Sequence, residues 1–105
     1  MDILITITGL NFNIDSNELN ANQEIVLRKE PNNKFDEEAI AVYINDSMKI
    51  GYISNSVRTK AKGTYSAGRL YDKIHDEEKA KILVILHDTA IGIVHVDNKK
   101  SNWEI

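Results

Sequence analysis

The chain of 105 residues contains no cysteine. Disulfides, thiolate metal centres and cysteine nucleophiles are therefore excluded. A chain without cysteine suits a reducing compartment, so a cytoplasmic setting is the expectation. Long apolar runs are missing as well. The longest, Ile82 to Leu86, has strand length and falls far short of the ~18 apolar residues that a membrane span needs. Met1-Asp2 opens the chain without the basic stretch of a signal peptide, so none is expected. No glycine-rich phosphate loop, Ser-His-Asp set or paired-carboxylate arrangement stands out, and no enzyme is expected. His75, His87 and His95 are widely spaced and lack tight carboxylate partners, so neither a metal centre nor another cofactor is expected.

What is present is unevenly distributed charge. The formal net charge is −3, which is not the footprint of a general nucleic-acid binder. Residues 1–46 carry nine acids against three bases. Residues 47–73 carry Lys49, Arg58, Lys60, Lys62, Arg69 and Lys73 against Asp72 alone. The middle of the chain is thus basic inside an acidic protein.

Patterning reads as mainly β. Ile3, Ile5 and Ile7 alternate with Leu4, Thr6 and Thr8, the period of a half-buried strand. Residues 10–22 are rich in asparagine and read as a polar connection. Glu24–Lys29 is a second strand, stopped by Pro31, the one proline, because proline cannot donate to a ladder. Asp36 is placed to cap a single helical turn. Ala39–Ile44 and Met48–Ile53 form a hairpin. Ser54-Asn55-Ser56 offers caps for a short helix that Gly63 would end. Gly68–His75, Lys79–His87 and Ala90–Val96 read as further strands. The sum is six or seven short strands with one or two short helices. Such domains close into a small, partly open barrel of the OB-like or SH3-like kind. A single domain over 1–96 is expected, followed by a tail, 97–105, that is polar apart from Trp103 and Ile105.

The segment from Ile25 to Ile53 is the most informative. A proline, polar amides and acids between two β runs make a shaped loop, and such loops are where small domains keep binding sites. It reads Lys29-Glu30-Pro31-Asn32-Asn33-Lys34-Phe35-Asp36-Glu37-Glu38-Ala39-Ile40-Ala41-Val42, with Ile50-Gly51-Tyr52-Ile53-Ser54 following. This resembles the HIRAN domain family, whose pattern is close to Arg-Glu-Pro-x-Asn-x-Tyr-Asp-x-x-Ala-Ile-x-Val, then Ile-Gly-Tyr-Ile-Pro. Gly9-Leu10-Asn11-Phe12 sits where the family has a glycine followed by aromatic or polar residues. The match is strongest over residues 25–56. Phe35 stands in place of the family's tyrosine, Lys29 of its arginine and Ser54 of its proline. Asn11 and Asn13 replace bulkier residues.

The resemblance implies a standalone, bacterial-type module that binds single-stranded DNA at its 3′-hydroxyl end, without catalysis. Asp36 would accept a hydrogen bond from the terminal hydroxyl and repel a 3′-phosphate. Phe35 and Phe12 would stack on bases, an interaction worth ~1–3 kcal/mol that tolerates any base. Asn33, Asn11 and Asn13 would hold phosphate or base edges. Arg58 and Lys60 would supply charge to phosphates. The alternative is a protein-interaction or oligomerisation module that keeps the fold and has lost DNA binding.

Overall fold

The computed structural model describes residues 1–10, 19–45, 47–56 and 58–97. Among the described residues six strands form: β1 (Asp2–Thr8), β2 (Glu24–Glu30), β3 (Ala39–Ile44), β4 (Met48–Ile53), β5 (Glu77–Ile85) and β6 (Ala90–His95). A short helix, α1 (Ala67–Tyr71), precedes β5. The strands form a closed antiparallel barrel in the order β1-β4-β3-β2-β5-β6. β-Branched residues suit a pleated, inward-facing surface. Ile5, Ile7, Ile25, Ile40, Val42 and Val94 accordingly have no exposed surface and fill the interior. Each buried aliphatic side chain of this size contributes about 1.5–3 kcal/mol.

Closure is uneven. β1 meets β6 over six residue pairs but meets β4 over only two, Ile7–Ile53 and Thr8–Tyr52. The chain after β4 completes that seam. The Ser54 amide donates to the Thr6 carbonyl and the Tyr65 amide to the Leu4 carbonyl, both at 2.8 Å. Beneath it, the Thr6 and Thr64 hydroxyls lie 2.8 Å apart, and the Ala61 amide donates to Thr6 Oγ1. These buried polar groups satisfy one another, as groups removed from water must. The segment 54–65 is thereby held along β1, close to the β2–β3 loop.

Two expectations need correction. Gly68–His75 is not a strand: Ser66 Oγ accepts from the Arg69 amide and caps α1. Ala67, Leu70 and Ile74 are buried at helical spacing. The short helix expected after Ser54 is a run of turns and bends among the described residues. Asp36 does cap a single turn: the Ala39 amide donates to the Asp36 carbonyl at 3.1 Å and the Asp36 carboxylate accepts from the Glu38 amide, after which the chain enters β3 without forming a helix. β5 also starts at Glu77, two residues before the expected point, with a bulge between Ile82 and Val84.

Candidate nucleic-acid interface

Eight residues, 31–38, connect the paired ends Glu30 and Ala39 of β2 and β3. Side-chain oxygens, not helix, shape this loop. Asn33 Oδ1 accepts from the amides of Phe35 (2.8 Å) and Asp36 (3.1 Å). Asp36 Oδ1 accepts from the Glu38 amide at 2.9 Å. Asparagine and aspartate favour such turns because a short side chain can bond the backbone two residues on. The loop is also tied from both sides. Asn33 Nδ2 donates to Glu30 Oε1 at 3.0 Å. On the far side, Asn55 Nδ2 donates to Asp36 Oδ2 at 2.8 Å, while Asn55 Oδ1 accepts from the Gly68 amide of α1 at 2.8 Å.

Below the loop lies a small charged cluster. Lys49 Nζ donates to Glu30 Oε2 (3.0 Å) and to the Tyr52 hydroxyl (2.9 Å), and that hydroxyl donates to Glu30 Oε1 (2.9 Å). Partial burial pushes the Glu30 carboxyl up. Hydrogen bonds from Asn33, Lys49 and Tyr52, with the lysine charge, outweigh it and hold the group below its ordinary value. The Lys49 ammonium is shifted upward, first by its bond to Tyr52 and then by Glu30. Glu30 and Lys49 are thus a charged pair at neutral pH, and Glu30 anchors Asn33.

Between the loop and the chain leaving β4 lies a groove of about 440 Å³. Asn33, Phe35, Asp36 and Ala39 contribute to one side; Tyr52, Ile53, Ser54 and Asn55 contribute from the other stretch of chain, with Thr8 and Thr59 completing the lining. Phe35 is 96% exposed, the most exposed of the large apolar residues described.

The groove therefore brings together Asn33, Phe35 and Asp36 of the residues singled out in the sequence. Arg58 and Lys60 are not part of its lining. Arg58 is exposed, and the Lys60 ammonium donates to the Thr64 carbonyl at 2.9 Å, bracing its own turn. Asn11, Phe12 and Asn13 lie outside the described residues. Sequence reasoning missed Tyr52 and Asn55 as site residues. Tyr52 stood in the quoted Ile-Gly-Tyr-Ile motif, whereas Asn55 read only as a helix cap. Among the described residues no group of three or more His, Asp or Glu is placed to hold a metal ion. No helix among them is long and apolar enough to cross a membrane.

The fold and the groove define the class: a small closed antiparallel β-barrel with a hydrogen-bonded loop over a groove. The family model for the HIRAN domain matches residues 2–69, and the chain belongs to the HIRAN domain family. That family is one of nucleic-acid-binding domains, binding rather than catalytic in themselves. Among solved structures, the chain resembles a crystal structure of a protein from Lactobacillus plantarum, a structural-genomics target. The TM-score is 0.56 at 18% identity, covering 90% of this chain and 98% of that one. At that identity the likeness concerns the fold. No curated protein matches the chain.

Proposed function

We propose that this chain is a non-enzymatic module that binds single-stranded DNA, preferably at a free 3′-hydroxyl end, in the groove beside Asn33, Phe35 and Asp36. The observation that carries this reading is the exposure of Phe35 on a loop held by hydrogen bonds at both ends. A phenyl ring at 96% exposure gains nothing for folding. Beside a groove it is a stacking surface ready for a base. Asp36 supports the hydroxyl role. Each of its oxygens takes one protein hydrogen bond, and a carboxylate offers about four acceptor sites. Acceptors therefore remain for a terminal hydroxyl, while a terminal phosphate meets like charge. Asn11, Phe12 and Asn13 belong to the proposed site by family pattern, and Arg58 is the exposed base that lies closest in sequence to Thr59.

The test is a titration of labelled protein with a short oligothymidine at low salt, followed by NMR. One oligonucleotide ends in a 3′-hydroxyl and the other in a 3′-phosphate. Shifts at Asn33, Phe35 and Asp36 with the hydroxyl form alone establish end capture. Equal shifts with both forms remove the end preference, and shifts with neither remove DNA from the reading.

A second reading, a protein-interaction or self-association module, draws on a different observation. Leu4, Leu83, Val84 and Leu86 are exposed, and the bulge in β5 leaves Leu83 and Val84, adjacent in sequence, both exposed. Sedimentation of the chain in the absence of nucleic acid separates the two readings: concentration-dependent association favours the second.

A further inference from the structure

The basic middle of the chain is left largely unused by the groove. In a protein of net charge −3, residues 47–71 contain no acid, and residues 54–71 carry Arg58, Lys60, Lys62 and Arg69. The course of the chain shows where those bases go. Ser54, Asn55 and Thr59 line the groove, and the Ser54 and Thr59 hydroxyls lie 2.6 Å apart, which holds the start of the segment at the rim. The chain then follows β1: the Ala61 amide donates to Thr6 Oγ1 and the Tyr65 amide to the Leu4 carbonyl. It enters α1, whose Gly68 amide donates back to Asn55 Oδ1. The segment is thus a strap that begins at the groove and leads away from it along the barrel wall.

Lys60 is occupied by the Thr64 carbonyl. Arg58, Lys62 and Arg69 are exposed, and among the described residues no carboxylate pairs with them. Arg69 is also held in place. Its guanidinium carbon lies 3.9 Å from the centroid of the Tyr65 ring, and that tyrosine packs against the core. A guanidinium laid on a ring keeps its planar N–H fork for a phosphate, and its prior ordering lowers the entropy cost of binding. Two acids come near α1. Glu38 Oε1 lies 2.7 Å from where a Cβ on Gly68 would stand, and Asp72 is the C-cap. Successive helical side chains point about 100° apart, so Arg69 faces away from Gly68 and the Glu38 carboxylate over it.

From this we propose that the strap 58–69 is a second binding site, a track for the sugar-phosphate backbone of a single strand as it runs 5′ from the groove. Among the described residues lining the groove Asp36 is the one charged side chain, so the phosphates a strand carries need cations elsewhere. The inference rests on the proposed strand-end reading and adds a site outside the groove. Contacts of this kind position a strand and carry no base information.

The experiment uses the full chain with a two-residue and an eight-residue oligothymidine, both ending in a 3′-hydroxyl. Each is titrated at two salt concentrations a factor of ten apart. Every phosphate contact to a single strand lowers affinity about fivefold over such a step, because bound counterions are released. The longer ligand should bind at least tenfold more tightly at low salt. It should lose about 100-fold across the salt step, the equivalent of three contacts, whereas the shorter should lose no more than about fivefold. The double variant Lys62→Gln, Arg69→Gln should reduce the loss for the longer ligand to about fivefold. It should leave affinity for the shorter ligand and the shifts at Phe35 and Asp36 unchanged. Both side chains are exposed, so its thermal midpoint should match the parent's. Arg69→Lys keeps the charge and loses the fork; it should weaken the longer ligand with an unchanged salt dependence.

Equal affinity for the two lengths overturns the inference while leaving end capture intact. An unchanged salt dependence in the double variant overturns it in the same way. Salt-dependent binding of the longer ligand that the double variant abolishes, with no shifts at Phe35 and Asp36, supports the track and overturns the strand-end reading. Binding of neither ligand overturns both.

Discussion

Asn55 donates its side-chain amide to Asp36 Oδ2 at 2.8 Å across nineteen residues of sequence. Its other end accepts from the Gly68 amide. One side chain thus ties the β2–β3 loop, the chain after β4 and the first turn of α1. Gly68 suits this meeting point, since a Cβ there would lie 2.7 Å from Glu38 Oε1 and 3.3 Å from Asn55 Oδ1. Asn55→Ala removes both bonds. Because the site is exposed, stability should fall by only about 1 kcal/mol. Ligand affinity should fall further, about five- to tenfold, since a loop released at one end must be ordered on binding. Urea unfolding and a parallel titration measure the two. An equal loss in both shows that Asn55 acts only on the fold.

Phe35 gives the opposite separation. It is 96% exposed and makes no core contact to lose. Phe35→Ala should leave stability within about 0.5 kcal/mol of the parent, as surface changes usually do. Binding should weaken by about 1–3 kcal/mol, the worth of one stacked base. Phe35→Tyr restores the family's own aromatic and should bind at least as well. Unchanged affinity in the alanine variant would remove the ring from the site.

The first four strands were legible because period-two runs, the proline and the Asn45 turn all point one way. The region 54–75 was not. Gly68-Arg69-Leu70-Tyr71-Asp72-Lys73-Ile74-His75 can be read as alternating. The deciding feature is the Ser66 cap, with burial of Ala67, Leu70 and Ile74 at helical spacing. Local pattern could not choose between those periods; packing of α1 against the barrel did. At the site, Asn33, Phe35 and Asp36 were visible because their turn chemistry is local. Asn55 was hidden because its partners are nineteen residues back and thirteen ahead. Lys60 read as a phosphate contact, but its ammonium is spent on the Thr64 carbonyl, a geometry set by the turn at 61–64.

Gly51 marks the narrow seam of the barrel. A Cβ at this position would overlap the Thr8 carbonyl oxygen, which is backbone and cannot swing aside. The β1–β4 seam has two residue pairs, one of them Thr8–Tyr52. Gly51→Ala should therefore cost about 2–3 kcal/mol, as other overpacked sites do. Gly63→Ala is the control: its φ is +88° but open space surrounds it. That substitution should cost about 1 kcal/mol, for the left-handed backbone alone. Denaturant midpoints compare the two, and a larger loss at Gly63 would mean that the seam yields.

The Glu30–Lys49–Tyr52 cluster sets how stability responds to pH. The folded Glu30 carboxyl titrates below its ordinary value of 4.5. Its contribution is complete above that value and is lost as pH falls through the folded pKa. The Lys49 ammonium titrates above its ordinary 10.5, so its contribution is complete below 10.5 and is lost only as pH rises through the raised value. The cluster should thus give a flat stability profile from about pH 5 to 10 and a decline on the acid side. Glu30→Gln keeps the shape and removes the charge. At neutral pH it should cost about 1 kcal/mol, reduced from a fully buried charged bond because both partners are partly exposed. On acidification the parent loses that advantage, and the two curves should converge below the folded pKa of Glu30. Asn33 also loses its charged acceptor in the variant, so oligothymidine affinity should drop together with stability. Urea unfolding of both proteins from about pH 3 to pH 7 measures the convergence. Parallel curves would mean that Glu30 contributes shape alone and that the acid decline arises elsewhere in the barrel.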